Sequence, residues 1–120
     1  MAANHCARIV RPIAAPQLKQ LVDQSRAHPN ETLFVKFASA FCGACKASKP
    51  AIDQALRMSQ KCHNVVELDS DVADATADGF NVKALPTMIA MKGGRVVGKM
   101  EGSQEPAAYQ RFFAKHSTGE

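Results

Sequence analysis

Two cysteines three residues apart, in Phe41-Cys42-Gly43-Ala44-Cys45-Lys46, carry the clearest chemistry in this chain. A cysteine thiolate attacks disulfides, and a second thiol one helical turn away can displace the product of that attack. The pair follows Thr32-Leu33-Phe34-Val35-Lys36-Phe37, a branched and aromatic run of the length expected for a buried central strand. It precedes a helix expected from Gly43 or Ala44 to about Lys61, kinked at Pro50. At such a junction Cys42 sits at or just before the first turn, where unpaired N–H groups and the positive end of the helix dipole favour a thiolate. Cys45, one turn deeper, faces the same side within reach of a disulfide. Cys42 is therefore the expected nucleophile and Cys45 the expected resolving thiol. The Cys42 thiolate attacks one sulfur of a substrate disulfide and the other substrate sulfur leaves. Cys45 then cleaves the mixed disulfide, so the substrate departs reduced and the chain is left oxidised. The cycle needs a reductant but no metal and no organic cofactor.

Two other readings compete for these thiols. They could form an inert structural pair, or they could bind zinc together with Cys62 and His63, which are suitable ligand types. One C-x-x-C followed by an adjacent Cys-His pair lacks the usual spacing of a zinc module, so no metal site is expected. Cys6 and Cys62 read as ordinary half-buried thiols, and the histidines as surface residues.

Elements that would position the dithiol alternate along the chain. Ala7 to Pro12 reads as an edge strand, and Pro16 opens a helix to about Ala27 with Leu18, Leu21 and Val22 on one face. Asn64 to Asp69 is a third strand. Asp71 can cap a short helix through Ala77, stopped by Gly79. Leu85 to Met91 is an apolar strand entered through Pro86, Lys92-Gly93-Gly94-Arg95 is a hairpin turn, and Arg95 to Met100 returns. Ser103 is the expected cap of a last helix carrying Tyr109, Phe112 and Phe113. The order β-α-β-α-β-α-β-β-α predicts an α/β sandwich with a mixed sheet and helices on both faces.

At 120 residues, residues 1–120 are expected to form one domain with a core that needs no disulfide framework. Lys and Arg interrupt every apolar run, so no membrane span is expected. The net charge of +4 is spread thinly, without the basic clusters of a nucleic-acid reader. The first residues lack the apolar core of an export signal. Arg8, Arg11 and Lys19 with no acid before Asp23 faintly resemble an organellar transit sequence, but cleavage would remove the first strand.

Phe37 to Lys46, Pro50 in the following helix, and Leu85-Pro86-Thr87 together resemble the thioredoxin family over nearly the whole chain. The resemblance implies the thioredoxin fold, with a central mixed sheet of about five strands flanked by about four helices. It also implies a thiol–disulfide oxidoreductase that reduces protein disulfides. Leu85 and Pro86 match the loop where a cis proline packs beside the dithiol and its preceding residue bonds an extended substrate. Gly102 matches a glycine of the same docking surface. The expected client-binding residues are thus Phe41, Gly43, Ala44, Leu85, Pro86 and Gly102.

Three departures from the family pattern bear on mechanism. Lys36 stands where typical members carry a buried aspartate that helps move the proton of the resolving cysteine, and Glu67 falls where many carry a lysine. We expect Lys36 and Glu67 to face each other as a reversed charge pair beneath the dithiol, with Lys36 taking a catalytic part; the competing reading has Lys36 snorkel to solvent. Gly43-Ala44 replaces the usual Gly-Pro, which predicts a more oxidising pair than a typical thioredoxin's. Ala38 and Phe41 replace two tryptophans, leaving one apolar ring at Phe41.

The expected partners are disulfide-containing client proteins and a thioredoxin-reductase-like or other dithiol reductant. The chain is expected to act as a monomer in a reducing intracellular compartment, the cytoplasm first and the mitochondrial matrix second. The alternatives are a more oxidising disulfide oxidase or isomerase, and a thioredoxin-fold module that binds peptide, metal or an iron–sulfur cluster without turnover.

Overall fold

The computed structural model describes residues 10–71 and 74–117, the side chains of 74 and 75 excepted. Its elements run β1 (Arg11–Ile13), α1 (Ala15–Ala27), β2 (Thr32–Ala38), α2 (Gly43–Met58), β3 (Asn64–Asp69), α3 (Asp74–Gly79), β4 (Thr87–Lys92), β5 (Arg95–Glu101) and α4 (Pro106–His116). The sheet order is β1-β3-β2-β4-β5. β1, β3 and β2 are parallel, while β4 and β5 run antiparallel to their neighbours. This is the expected mixed sheet, and β1 is its edge as expected, although Ala7 to Ile9 lie outside the described residues.

Strand alternation sorts the core into two layers. Leu33, Val35, Phe37, Val66, Leu68, Ile89 and Met91 pack with Leu18 of α1 and Ala77 of α3. Phe34, Val65, Met88 and Ala90 point to the other face, against Ile52, Ala55 and Leu56 of α2 and Tyr109, Phe112 and Phe113 of α4. Lys36 has the parity of Phe34 and so belongs to the α2 and α4 face. Among the described residues no helix is long and apolar enough to cross a membrane.

Several element ends differ from expectation, each for a local reason. α2 stops at Met58 rather than Lys61, because Ser59 turns extended and its hydroxyl donates to the Ala55 carbonyl at 2.8 Å. The Asp71 carboxylate accepts from the Ser39 hydroxyl and its amide donates to Asp69 Oδ1 at 2.9 Å, while residues 72 and 73, between it and α3, lie outside the described residues. α3 runs through Gly79 and ends at Asn81, whose φ of 59° lets Val82 N–H reach the Ala77 carbonyl and its own N–H reach that of Asp78. Ser103 is not a cap. Glu105 holds that position without a side-chain bond, and Pro106 opens α4. The hairpin is as expected, with Gly93 and Gly94 at φ 59° and 79° between paired Lys92 and Arg95.

Candidate active site

β2 ends at Ala38, and residues 39–42 form the turn that delivers the first cysteine. Ser39 builds this turn: its hydroxyl accepts from Phe41 N–H at 3.1 Å, and its carbonyl accepts from Cys42 N–H at 3.2 Å. The β3–α3 loop buttresses the strand end, with Ser70 N–H and Oγ both donating to the Ala38 carbonyl at 2.8 and 3.1 Å. Ser39 and Ser70 were not singled out from the sequence; short polar residues flanking a strand-to-helix turn are the signal that could have found them.

Cys42 occupies the N-cap of α2, in extended conformation, and its Sγ accepts the Cys45 backbone N–H at 3.0 Å. The sulfur thus takes one of the unpaired donors of the first turn, the role a capping oxygen usually fills. Cys45 is 4% exposed, whereas Cys42 is only half-buried. The two are joined as a disulfide with their Cα atoms 5.2 Å apart. Gly43 has open space where a side chain would project, and the Phe41 ring beside it is 91% exposed.

The antiparallel pairing of β2 with β4 brings the second half of the site alongside. Phe37 registers with Thr87, so Pro86 arrives at the end of β2 that leads to Cys42. The Leu85-Pro86 bond is cis, and the Pro86 carbonyl accepts the Gly102 N–H at 2.8 Å. Gly102 itself has a φ of +83°, a conformation that favours glycine. The dithiol turn, Pro86 and Gly102 therefore gather at one end of the sheet.

Lys36 is 2% exposed and does not snorkel to solvent. It registers with Glu67 across the parallel β2–β3 pair, and its Nζ lies 3.5 Å from Glu67 Oε1. The Glu67 side chain is 35% exposed, so the carboxylate also reaches water. Cys62 and His63 lie past the far end of α2, a helix of 16 residues and hence about 24 Å long, which removes them from any shared coordination sphere with Cys42 and Cys45. His63 instead stacks on Phe113, with ring centroids 5.2 Å apart. Cys62 departs from expectation: it is exposed, because α2 stops short of it, and it is disulfide-bonded. Cys6 lies outside the described residues.

A sulfur pair at a helix N-terminus, one member open to solvent and one buried, passes two electrons by exchange with another disulfide or dithiol, which makes the protein a thiol–disulfide oxidoreductase. Comparison with known proteins narrows that class. The thioredoxin family model matches residues 12–115. A thioredoxin of Staphylococcus saprophyticus is 32% identical over 82 residues, 68% of this chain and 79% of its own. The bifunctional thioredoxin reductase/thioredoxin of Mycobacterium leprae is 32% identical over 82 residues, 68% of this chain but 18% of that protein. The crystal structure of a Nicotiana alata thioredoxin superposes with a TM-score of 0.78 at 27% identity, covering 91% of this chain and 95% of that one. The chain belongs to the thioredoxin family, whose members reduce protein disulfides.

Proposed function

We propose that Cys42 is the attacking thiolate and Cys45 the resolving thiol in the reduction of disulfides on protein clients. The observation that carries this assignment is the asymmetry of the pair: Cys42 Sγ receives an amide at 3.0 Å and is partly open, while Cys45 is buried one turn deeper. Phe41, Gly43, Ala44, Leu85, Pro86 and Gly102 form the client-binding surface, with the open space at Gly43 admitting an extended segment. Lys36 contributes a buried cation on the sheet face that α2 covers. Its charge favours the thiolate that Cys45 must become to cleave the mixed disulfide, and Glu67 holds it in place.

A dithiol reductant of the thioredoxin-reductase type regenerates the pair; in support, a relative carries both proteins' names in one polypeptide. The protein works as a monomer in a reducing compartment, the cytoplasm or the mitochondrial matrix, where such a reductant keeps the dithiol reduced. Insulin reduction driven by dithiothreitol tests the assignment. Wild-type protein should accelerate it, Cys42→Ser should fall to the uncatalysed rate, and Cys45→Ser should accumulate a covalent mixed disulfide. Retained turnover in Cys42→Ser would overturn the assignment.

A further inference from the structure

Cys62 carries sulfur chemistry that the dithiol does not account for. It is exposed just past α2, and it is disulfide-bonded. Cys42 and Cys45 are bonded to each other, so neither is its partner. The sequence has four cysteines, and the fourth is Cys6, which lies outside the described residues.

The sheet leads to the same cysteine by a separate route. β1 and β3 are parallel neighbours, with Arg11 in register with Val66 and Ile13 with Leu68. The chain entering β1 and the chain entering β3 therefore approach from the same end of the sheet. Cys6 precedes Arg11 by five residues, and Cys62 precedes Val66 by four. Two approaches of nearly equal length thus lead back from one registered pair to the two cysteines. Neighbouring strands lie about 4.8 Å apart, within the range of Cα separations that a disulfide bridges. β1 is also the element most in need of a tie. It is three residues long and pairs on one side only, at the edge of the sheet.

We propose that Cys62 and Cys6 form a second disulfide, a clip that fastens β1 to the chain entering β3 and that small thiols of the glutathione class open. A thiolate of that class attacks the exposed Cys62 sulfur, and the Cys6 sulfur leaves with the bonding electron pair and takes up a proton. A second small thiolate attacks the outer sulfur of this mixed disulfide, and Cys62 leaves as a thiol. Two small thiols are oxidised to one disulfide, and the clip is reduced to two protein thiols. The reverse steps close it when the small disulfide is in excess. The site lies about one 24 Å helix length from Cys42, so the sulfurs of the dithiol take no part. The closed clip restricts the unfolded chain between positions 6 and 62, and its effect falls on stability.

Peptide mapping of the full chain, blocked with iodoacetamide and digested without reductant, reads the connectivity. Cys6 and Cys62 should be recovered in one disulfide-linked pair and Cys42 with Cys45 in the other. Cys62 linked to a second copy, to Cys42 or to Cys45 would overturn the proposal, as would both outer cysteines recovered alkylated from air-oxidised protein. The Cys42→Ser/Cys45→Ser protein then isolates the outer pair. Excess reduced glutathione should expose two thiols per chain and lower its melting temperature by about 5–15 °C. The same protein with Cys6→Ser added should already melt at the lower temperature and should not respond. A melting temperature unmoved by glutathione, or one that moves equally in the Cys6→Ser protein, would refute the clip. Neither measurement uses client turnover, so the result stands apart from the role assigned to Cys42.

Discussion

Lys36 and Glu67 stand side by side in the parallel register of β2 and β3, Nζ 3.5 Å from Oε1, with the lysine side chain 3% exposed and the glutamate side chain 35% exposed. The pair is lopsided: one charge has water as an alternative partner and the other has none. Deleting the glutamate should therefore cost more than deleting the lysine. Glu67→Ala strands a buried ammonium and is expected to lower stability by about 2–4 kcal/mol, whereas Lys36→Met releases the carboxylate to solvent and should cost about 0–1 kcal/mol. Urea unfolding of both variants checks the order, and a reversed order would refute the account.

The same buried cation and the missing proline at Ala44 point in one direction for redox poise. Stabilising thiolates favours the reduced pair and makes the disulfide more oxidising, so the reduction potential should lie above the roughly −270 mV of a typical thioredoxin. Equilibration with glutathione measures it, and a value at or below that figure would contradict the prediction. Ala44→Pro, which pre-sets φ in the first turn of α2, should shift it downward.

Phe41 is 91% exposed and packs on nothing in the core, yet it adjoins Cys42. Phe41→Ala should leave thermal stability within about 0.5 kcal/mol of wild type. It should nonetheless reduce kcat/KM for a protein client about three- to tenfold, the loss of roughly one apolar anchor. Equal rates for the two proteins on insulin would remove Phe41 from the docking surface.

Asn81 ends α3 at a φ of 59°. Glycine suits that conformation and alanine does not, so Asn81→Gly should be neutral or stabilising and Asn81→Ala should cost about 1 kcal/mol. Paired melting curves distinguish them. A destabilised glycine variant would mean that the asparagine side chain holds the turn by another contact.

His116, near the end of α4, is held below the ordinary histidine range by burial first, and then by the charges of Lys115 and Lys92. The unfolded chain therefore binds this proton more tightly than the folded one. Stability from this residue is complete above the unfolded value near pH 6.5 and declines as pH falls from there towards the lowered folded value. His116→Gln should flatten the stability profile in that interval. The ring also fills the space a side chain at Gly98 would need, so Gly98→Ala should be destabilising at every pH.

The sequence was most informative where chemistry and periodicity agreed. The Cys42–Cys45 spacing at a strand-to-helix junction, the glycine pair of the hairpin and the three long strands were legible because each rests on a short-range rule. Lys36 was legible as a misfit, a lone charge in an apolar strand, and Glu67 as its partner through the family resemblance; the parallel register of β2 and β3 brings the two side by side. Helix ends were harder. Ser103 looks like a cap, but Glu105 holds that position and Pro106 fixes the start of α4, a choice that depends on backbone geometry.

The run of β2 toward the dithiol and of β4 away from it sets Cys42 and Cys45 at one end of the sheet, a helix length from the end of α2 that leads to Cys62. Gln60, exposed just past α2, lies there, about one 24 Å helix length from Cys42. A support coupled at that residue would present every molecule with Cys42 and Cys45 facing outward and Cys62 toward the matrix. Material prepared in this way could be loaded, washed and re-reduced on a column without the matrix obstructing the approach of a client.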